Sequence, residues 1–350
     1  MNCLAGILIA ALMAASAPDT SQPYMVSASS MKVQLIGQDK VTWLRGAVEI
    51  IHGPTIIRGD SARISTLQEQ ALIWGHVRIT DRTAELAGRR AVYFKRYGRS
   101  VLHGRPNLKD GGWTLTADSL VHLKDQAKSY AFGQVEMRDS SGKSNIQSDY
   151  GEYWHQESYG LLTGSPKYSI TGGTGKLSAI TADRMEAYQQ GQVAIATGNV
   201  NYSEDSVWAS AGRMSYFRNE GRMFLEEQPR VWRSDADLSG RTIELIFYRD
   251  SLKNSVVRDS VVLRQFLAEP GDTDLIKCDS LWIEFAQGKL SQARATGSAW
   301  SRYHQLDKGK VSGWNVTAGD QMEFYFFQGK IDKLKVNQKS KGAYFELEKP

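Results

Sequence analysis

One short pattern recurs throughout this chain of 350 residues, and it limits the folds that the chain can adopt. Each copy contains a residue that we call the first anchor, which is glycine in seven of nine copies. The first three steps between copies are each 29 residues, and the later steps range from 29 to 38 residues. Repetition of this kind is typical of folds in which stacked units share one core. The nine first anchors are Gly46, Gly75, Gly104, Gly133, Gly164, Gly198, Glu227, Asp259 and Gly297.

Apolar residues surround the first anchors at even steps. The residue two positions before the anchor is apolar in all nine copies. The residues two and four positions after it are apolar in most copies, and the copy at Gly297 breaks this rule. Three copies place proline two positions after the anchor, at Pro106, Pro166 and Pro229. Alternation with a period of two residues predicts a β-strand with one buried face.

A small residue followed by a second anchor comes 14 to 23 residues after each first anchor. The second anchor is usually aspartate, as at Asp60, Asp118, Asp149, Asp183 and Asp279. Apolar residues usually stand three positions before and two positions after it. This spacing of five residues is odd, whereas residues on one face of a regular strand are separated by even steps. A strand that keeps one face buried across such a step needs a bulge or a sharp bend, where small residues fit best. Each copy therefore predicts two β segments, the second of them bent, and nine copies predict about eighteen strands.

The composition agrees with a β-rich fold. The chain contains 32 glycines, 15 tyrosines and nine tryptophans, which suit strands and turns. No convincing helical periodicity follows residue 30, and the repeat continues on both sides of every insertion. We predict an all-β protein with one continuous repeat domain over residues 40–336. A lead-in over residues 18–39 precedes this domain, and a tail over residues 337–350 follows it.

The N-terminus predicts export. Residues 4–17 combine an apolar run with small residues, as in the core and exit of a secretory signal, and we assign residues 1–17 to it. The chain has two cysteines, Cys3 within this segment and Cys278 in the body, so no intrachain disulfide framework is expected. No apolar run has the length of a conventional membrane span.

No motif in the chain predicts catalysis, a metal site or a cofactor. The aspartates at the second anchors lie one repeat apart, so hydrogen bonding to local backbone is the preferred interpretation over metal binding or acid–base chemistry. Cys278 occupies a position that other copies fill with glycine, alanine or serine, which predicts a small buried residue rather than a nucleophile. The six histidines show no metal-ligand spacing. We therefore predict a protein that is not an enzyme.

One stretch of the chain is strongly basic. Between residues 78 and 109 nine lysines and arginines stand against Asp81 and Glu85. This stretch is either a solvated strand face or an anion-facing patch that holds phosphates. The residues predicted for the patch are Arg89, Arg90, Lys95, Arg96 and Arg99. The net charge of the whole chain, +5, is too small to predict nucleic-acid binding.

The iterated pattern resembles the OstA-like family of periplasmic lipopolysaccharide-transport proteins, which includes LptA, LptC and the N-terminal part of LptD. The resemblance covers about residues 40–336 and is closest at GNV (198–200) and TADRMEAY (181–188). It implies an open, elongated β-jellyroll whose two sheets enclose an apolar groove for acyl chains. The implied ligand is lipopolysaccharide or a related glycolipid. Other jellyroll proteins are implied as partners through end-to-end strand pairing, and the implied location is the periplasm, in contact with the inner or outer membrane.

The positions two and four residues after the first anchors are the predicted groove lining. The residues assigned to it are Val48, Ile50, Val77, Ile79, Val135, Met137, Val200, Tyr202 and Val231. Two other readings remain open beside the lipid carrier. The first is a structural or surface repeat protein whose own side chains fill the core. The second is a β-helix carbohydrate enzyme, which is disfavoured by two strands per copy and by the absence of stacked asparagines or an acidic cluster.

Overall fold

The computed structural model of the chain is built from β-strands. Its described part contains 28 strands and no α-helix, which confirms the predicted all-β class. Consequently it has no helix long and apolar enough to cross a membrane. The predicted signal over residues 1–17 lies outside the described part. The structure describes residues 25–52, 55–81, 84–94, 97, 99–110, 113–123, 126, 128–154, 156–171, 177–189, 192–249, 251–267, 273–286, 289–307, 310–327 and 330–346.

The chain forms two compact units. The N-terminal unit comprises the described residues up to Ile170 and residues 183–193, and the C-terminal unit comprises residues 171–182 and the chain from Ala194 onwards. The strands of the N-terminal unit are β1 (Met25–Ser27), β2 (Ser30–Ile36), β3 (Asp39–His52), β4 (Thr55–Ser65), β5 (Gln70–Asp81), β6 (Ala84–Phe94), β7 (Arg99–His103), β8 (Asn107–Asp110), β9 (Trp113–Thr116), β10 (Ser119–Leu123), β11 (Lys128–Asp139), β12 (Ser144–Trp154), β13 (Tyr159–Thr163), β14 (Lys167–Thr171) and β16 (Arg184–Tyr188).

The C-terminal unit continues the same pattern with longer strands. Neighbouring strands in its described part pair in the antiparallel direction. Its strands are β15 (Leu177–Thr181), β17 (Val193–Glu204), β18 (Val207–Phe217), β19 (Arg222–Glu226), β20 (Arg230–Trp232), β21 (Ala236–Ser239), β22 (Thr242–Tyr248), β23 (Ser251–Phe266), β24 (Thr273–Ala286), β25 (Lys289–Asp307), β26 (Lys310–Phe327), β27 (Lys330–Asn337) and β28 (Lys341–Glu346).

The strand count exceeds the predicted eighteen for a physical reason. The six copies without proline each form two long strands, as predicted. In the three proline copies both strands are split at the anchors, so that β7 ends before Pro106 and β8 begins after it. Proline cannot donate to the ladder, and the facing strand is interrupted at the same level, between β9 and β10. The remaining four strands lie at the two ends of the described chain.

A bulge at the paired anchors changes the inward face. At Gly46 and Ala47 the φ angles are +76° and +44°, and these two residues of β3 face the single residue Asp60 of β4. All nine first anchors and the residues that follow them share a positive φ. We call each of these bulges, where a first anchor faces a second anchor, a corner. At another corner the amide of Asp118 donates to the carbonyl of Gly133 over 2.8 Å. The predicted bulge is therefore confirmed, but the two left-handed residues that produce it belong to the first anchor rather than to the small residue–aspartate pair.

The same corner recurs outside the nine predicted copies. Before the first copy, Ser29 donates its amide to the carbonyl of Gly46 over 2.7 Å. After the last copy, Gln338 and Lys339 have φ angles of +62° and +50°, and Gln338 accepts from the amide of Asp320 over 3.0 Å. The described ladder thus begins before residue 40 and continues after residue 336. The bounds of a single repeat domain remain a prediction.

The core consists of the residues that the alternation assigned to the inward face. All nine residues that stand two positions before a first anchor are buried: Leu44, Ile73, Leu102, Ala131, Leu162, Ala196, Leu225, Val257 and Ala295. In the N-terminal unit a cavity of about 30 Å³ lies where Leu115 and Met137 meet Ala131 and Leu162. These two pairs lie on opposite sides of the corner, so the two halves of the bent strands face each other. At this level the described interior is closely packed by its own side chains.

Candidate functional site

The predicted groove residues of the N-terminal unit lie on its inward face. Val48, Val77 and Val135 follow the bulges directly and are 2%, 1% and 2% exposed. Two residues further on, a row of directly opposed side chains crosses nine strands. Opposed residues in antiparallel strands point to the same side of a sheet, so this row forms one apolar wall. Its members are Ile50, Ile57, Ile79, Leu86, Leu108, Leu115, Met137, Ile146 and Tyr168.

The corresponding inner row of the C-terminal unit is more open. Close to the corners Val261 and Ala299 are each 1% exposed. Two residues further from the corners, Leu263 is only half-buried. Its neighbours in the row, Val231, Leu238 and Ile276, are half-buried as well, although their strands lie inside the sheet. In the N-terminal row only Ile57 and Leu86 are half-buried. The C-terminal unit therefore has a stretch of four consecutive apolar residues on its inner face that its own side chains do not fully cover.

Polar groups on the inner face of the C-terminal unit are paired within the protein. The hydroxyl of Tyr202, a predicted groove residue that is half-buried, hydrogen-bonds to the buried carboxylate of Glu204. Asp274 accepts from the amide of His304, and its Oδ1 lies 2.8 Å from Nδ1 of the same histidine. Burial, followed by the nearby charge of Asp274, raises the pKa of Tyr303 above its usual range. The Tyr202 hydroxyl and the Asp274 carboxylate therefore have partners within the protein, and Ser301 and Thr317 continue the inner row beyond Ile276.

The sequence analysis predicted part of the half-buried apolar row of the C-terminal unit. Val231 was assigned to the groove, and Val200 is buried on the same inward face as Tyr202. Leu238, Leu263 and Ile276 were recognised as inward but were not assigned to the groove. Distance from the corner does not separate them from fully buried residues, because Met137 stands as far from its corner as Leu263 and is 3% exposed. Their exposure depends on which residues from elsewhere in the chain pack against them. A single copy of the repeat does not contain this information.

The predicted anion patch is only partly described. Lys95 and Arg96 lie outside the described residues. Arg89 lies at a corner with its side chain against Gly104, and the guanidinium of Arg99 lies 4.9 Å from the ring centre of Phe94. Arg90 and Arg99 share one face but pair with opposite ends of the β6–β7 ladder, about 13 Å apart for a four-residue separation. The patch stays a prediction, and the structure does not bring its described members into one tight cluster.

The aspartates of the second anchors lie at exposed corners. Asp60, Asp118, Asp149 and Asp279 each face a glycine of the next strand so closely that a Cβ on that glycine would collide with them. Asp60 also pairs with His76, with 2.8 Å between Oδ2 and Nδ1, and both side chains are largely exposed. Among the described residues no group of three or more histidines, cysteines, aspartates or glutamates is arranged to hold a metal ion. The role that the contacts support for these aspartates is local, at the bend of each strand.

Two carboxylates with lowered pKa, Glu186 and Glu244, are held in ion clusters on outward positions. Hydrogen bonds from Arg184, Tyr159 and Tyr188 outweigh the burial of Glu186 and lower its pKa to about 2. Glu244 is buried, which would raise its pKa, but hydrogen bonds from Arg222 and Arg258 reverse this effect and lower it. Both carboxylates are therefore ionised partners of arginine, which is a structural role rather than that of a general acid.

Cys278 lies at the buried side of a corner and is 5% exposed. Burial raises the pKa of its thiol to about 12, so the thiolate is almost absent at neutral pH. Because Ala117, Ala182 and Ala211 occupy the same position in other copies, we expect Cys278→Ala to leave folding and ligand binding unchanged. Thermal unfolding of the variant, together with alkylation of the native protein at pH 8, checks this. Loss of binding without loss of fold would show that the thiol itself has a function.

Comparisons with known proteins find similarity over part of the chain. Residues 26–128 match the sequence model of the family described as LptA/(LptD N-terminal domain) LPS transport protein, and the predicted resemblance is confirmed for this segment. No curated protein matches the chain significantly. Among solved structures, the chain is similar to LptH from Pseudomonas aeruginosa, described as the LptA homologous periplasmic component of the lipopolysaccharide transport device. That similarity has 14% sequence identity and a TM-score of 0.29, and it covers 32% of this chain and 83% of LptH.

Proposed function

We propose that this protein is a non-enzymatic periplasmic carrier that holds acyl chains of lipopolysaccharide, or of a related glycolipid, against the inner face of its repeat. The observation that carries the proposal is the half-buried apolar row Val231, Leu238, Leu263 and Ile276 in the C-terminal unit. The family match of residues 26–128 supports the ligand class and the location. Each lipid methylene that replaces water on such a surface contributes about 0.8 kcal/mol, so a few copies of the repeat suffice for reversible holding.

The strands at both ends of the described chain support the proposed partners. β2 pairs with β3 alone among the strands described, and its Met31, Val33 and Leu35 are 50%, 52% and 71% exposed. At the other end every residue of β28 is exposed, including Tyr344 and Phe345. Exposed apolar edge strands add further strands readily. We infer that other jellyroll proteins dock at these ends by continuing the ladder.

The structural-repeat alternative is favoured by one observation. The cavity at Leu115 and Met137 in the N-terminal unit has a volume of about 30 Å³, which leaves little room for a ligand at that level without separation of the packed side chains. A protein that used its whole length only as a scaffold would look the same there. The two functions are separated by the behaviour of inward and outward positions towards lipid.

Photo-crosslinking tests the proposal directly. A photoreactive amino acid at the inward positions Ile79, Met137, Tyr202 or Leu263 is expected to capture glycolipid in cells, with the highest yield at Leu263. The reason is that Leu263 lies where the inner face is open, whereas Ile79 and Met137 require the sheets to part. Mass spectrometry of the crosslinked species gives both the yield and the identity of the lipid.

Outward neighbours of the same strands provide the matched controls. Arg78 and Glu136 follow inward valines directly and point to the other side of the sheet. We expect no glycolipid adduct at either position. Equal labelling of inward and outward positions, or no labelling of any inward position, would contradict the carrier and leave the structural repeat as the better reading.

A further inference from the structure

The outward face of one sheet in the C-terminal unit carries aromatic and basic side chains together. This sheet is formed by β18, β20, β21, β23, β24, β25, β26 and β28, and its opposed residues run continuously from Trp208 to Ala343. Its other side is the half-buried inner row described above. We call the outward side the aromatic-basic face. Its aromatic members are Trp208, Trp232, Phe266, Trp300, Trp314 and Phe345.

The charge of the aromatic-basic face is almost entirely positive. At the outward positions of the described parts of these strands stand five cations, Arg230, Arg264, Lys277, Arg302 and Lys341, against one carboxylate. That carboxylate, Asp237, is 4% exposed and is bound by Arg230 at 2.8 Å and by Arg264 at 3.1 Å. The two arginines remain about half exposed and keep further donors free for an external anion, so the face presents a positive surface to its surroundings.

The aromatic rings lie among these cations and reach the solvent. The guanidinium of Arg230 lies 5.5 Å from the ring centre of Trp232, and Nζ of Lys277 lies 5.9 Å from that of Trp300. Trp208, Phe266 and Phe345 are 37%, 41% and 46% exposed. Eight strands at a spacing of about 4.8 Å give the face a width of about 33 Å. Exposed rings of this size are costly for a face that meets only water.

The equivalent outward face of the N-terminal unit has a different composition. Its charges are of both signs and form ion pairs, such as Glu49 with Arg58 at 2.7 Å and Arg78 with Glu85 at 3.0 Å. On the half of its described strands that follows the first anchors, no tryptophan, tyrosine or phenylalanine occupies an outward position, whereas the other half carries the exposed Trp43 and Phe132. The aromatic-basic face therefore differs from the equivalent half of the N-terminal unit, so the repeat alone does not require it.

We propose that the aromatic-basic face docks on a membrane surface that contains anionic lipids. Lysine and arginine are attracted to anionic headgroups, and tryptophan prefers the boundary between headgroups and acyl chains. On this face the basic residues can contact the headgroups while the tryptophans lie at the boundary between headgroups and acyl chains. The proposal does not depend on what the inner face holds, because it concerns the opposite side of the sheet.

Co-sedimentation with vesicles tests this proposal. The purified protein is expected to bind vesicles of phosphatidylcholine with phosphatidylglycerol, and to bind pure phosphatidylcholine at least about tenfold more weakly. Binding should fall as the salt concentration rises, because exposed charges are screened. Inorganic phosphate at matched ionic strength should not compete. The vesicles contain no lipopolysaccharide, so failure here leaves the carrier function untouched, and failure of groove crosslinking leaves this result untouched.

Matched variants locate the binding surface. Charge reversal of two exposed lysines, in Lys277→Glu with Lys341→Glu, should weaken binding by about thirtyfold or more. Lys109→Glu with Lys167→Glu makes the same change in net charge on the outward face of the N-terminal unit and should have little effect. Trp208→Ala should weaken binding more than Trp43→Ala, although both rings are 37% exposed.

The other outcomes each overturn the proposal. Equal loss in the two lysine pairs would mean that only net charge matters, and undiminished binding to pure phosphatidylcholine would remove the role of the anionic lipid. Competition by inorganic phosphate would indicate a discrete anion site instead of a membrane surface. Absence of vesicle binding by the folded native protein would favour a protein partner for this face. Circular dichroism of every variant confirms that the fold is intact.

Discussion

Val135→Asp is expected to unfold the N-terminal unit at temperatures where the native protein is stable. Val135 is 2% exposed and lines the small apolar cavity between the two halves of the bent strands. A carboxylate there would have no cation within its surroundings and little water, so it costs several kcal/mol whether it stays charged or takes up a proton. Since domains are stable by about 5–15 kcal/mol, a loss of this size removes much of the total. Thermal unfolding followed by circular dichroism measures the effect.

Val77→Asp should behave in the same way, because Val77 is 1% exposed at the equivalent position of another copy. Two controls distinguish the effect of the buried charge from the effects of lost volume and of an added carboxylate on the outward face. Val135→Ala removes volume without adding charge and should cost only about 1–3 kcal/mol. Arg78→Asp adds a carboxylate at an outward position whose side chain is 58% exposed, where only a surface ion pair is lost. Unchanged melting temperatures in both valine variants would show that the inward face has been assigned to the wrong side.

The inward face could be predicted because apolar residues alternate along each strand and because the recurring first anchor fixes the register of this alternation. The residues two positions before the first anchors were assigned from alternation alone, and all nine are buried. The bulge was predictable in existence but not in detail. The odd step between inward residues shows that the strand must contain a bulge. It does not show that Gly46 and Ala47 are the two left-handed residues, because this depends on which strand supplies the extra residue opposite Asp60.

The aromatic-basic face was within reach of the same reasoning and was missed. Residues three and five positions after a first anchor point outward by the same alternation. In later copies these are Arg230 with Trp232, and Trp300 with Arg302, whereas the copy at Gly133 has Glu136 with Arg138. The half-burial of Leu263 could not be obtained in this way. It depends on the separation of two sheets, to which residues distant in sequence contribute.

Gly164→Ala is expected to destabilise the protein by about 2–4 kcal/mol, and the contact with Asp149 makes part of this loss specific. The φ of Gly164 is +77°, a conformation that costs alanine about 1–2 kcal/mol. In addition, a Cβ at this position would lie 2.5 Å from Cβ of Asp149, an atom that side-chain rotation cannot move away. Gly142→Ala is the matched control, because its φ is +69° and nothing lies within 4 Å of the added Cβ. The difference between the two variants isolates the contact.

A double-mutant cycle then assigns the contact to its partner. Asp149→Gly alone should cost about 1 kcal/mol, since glycine weakens a strand. The double variant with Gly164→Ala should be more stable than the sum of the single losses predicts by about 1 kcal/mol or more, because the colliding atom is gone. Chemical denaturation of the four proteins measures this coupling. Strict additivity would mean that the first and second anchors do not pack against each other, and the pairing of glycine with aspartate along the chain would then need another physical cause.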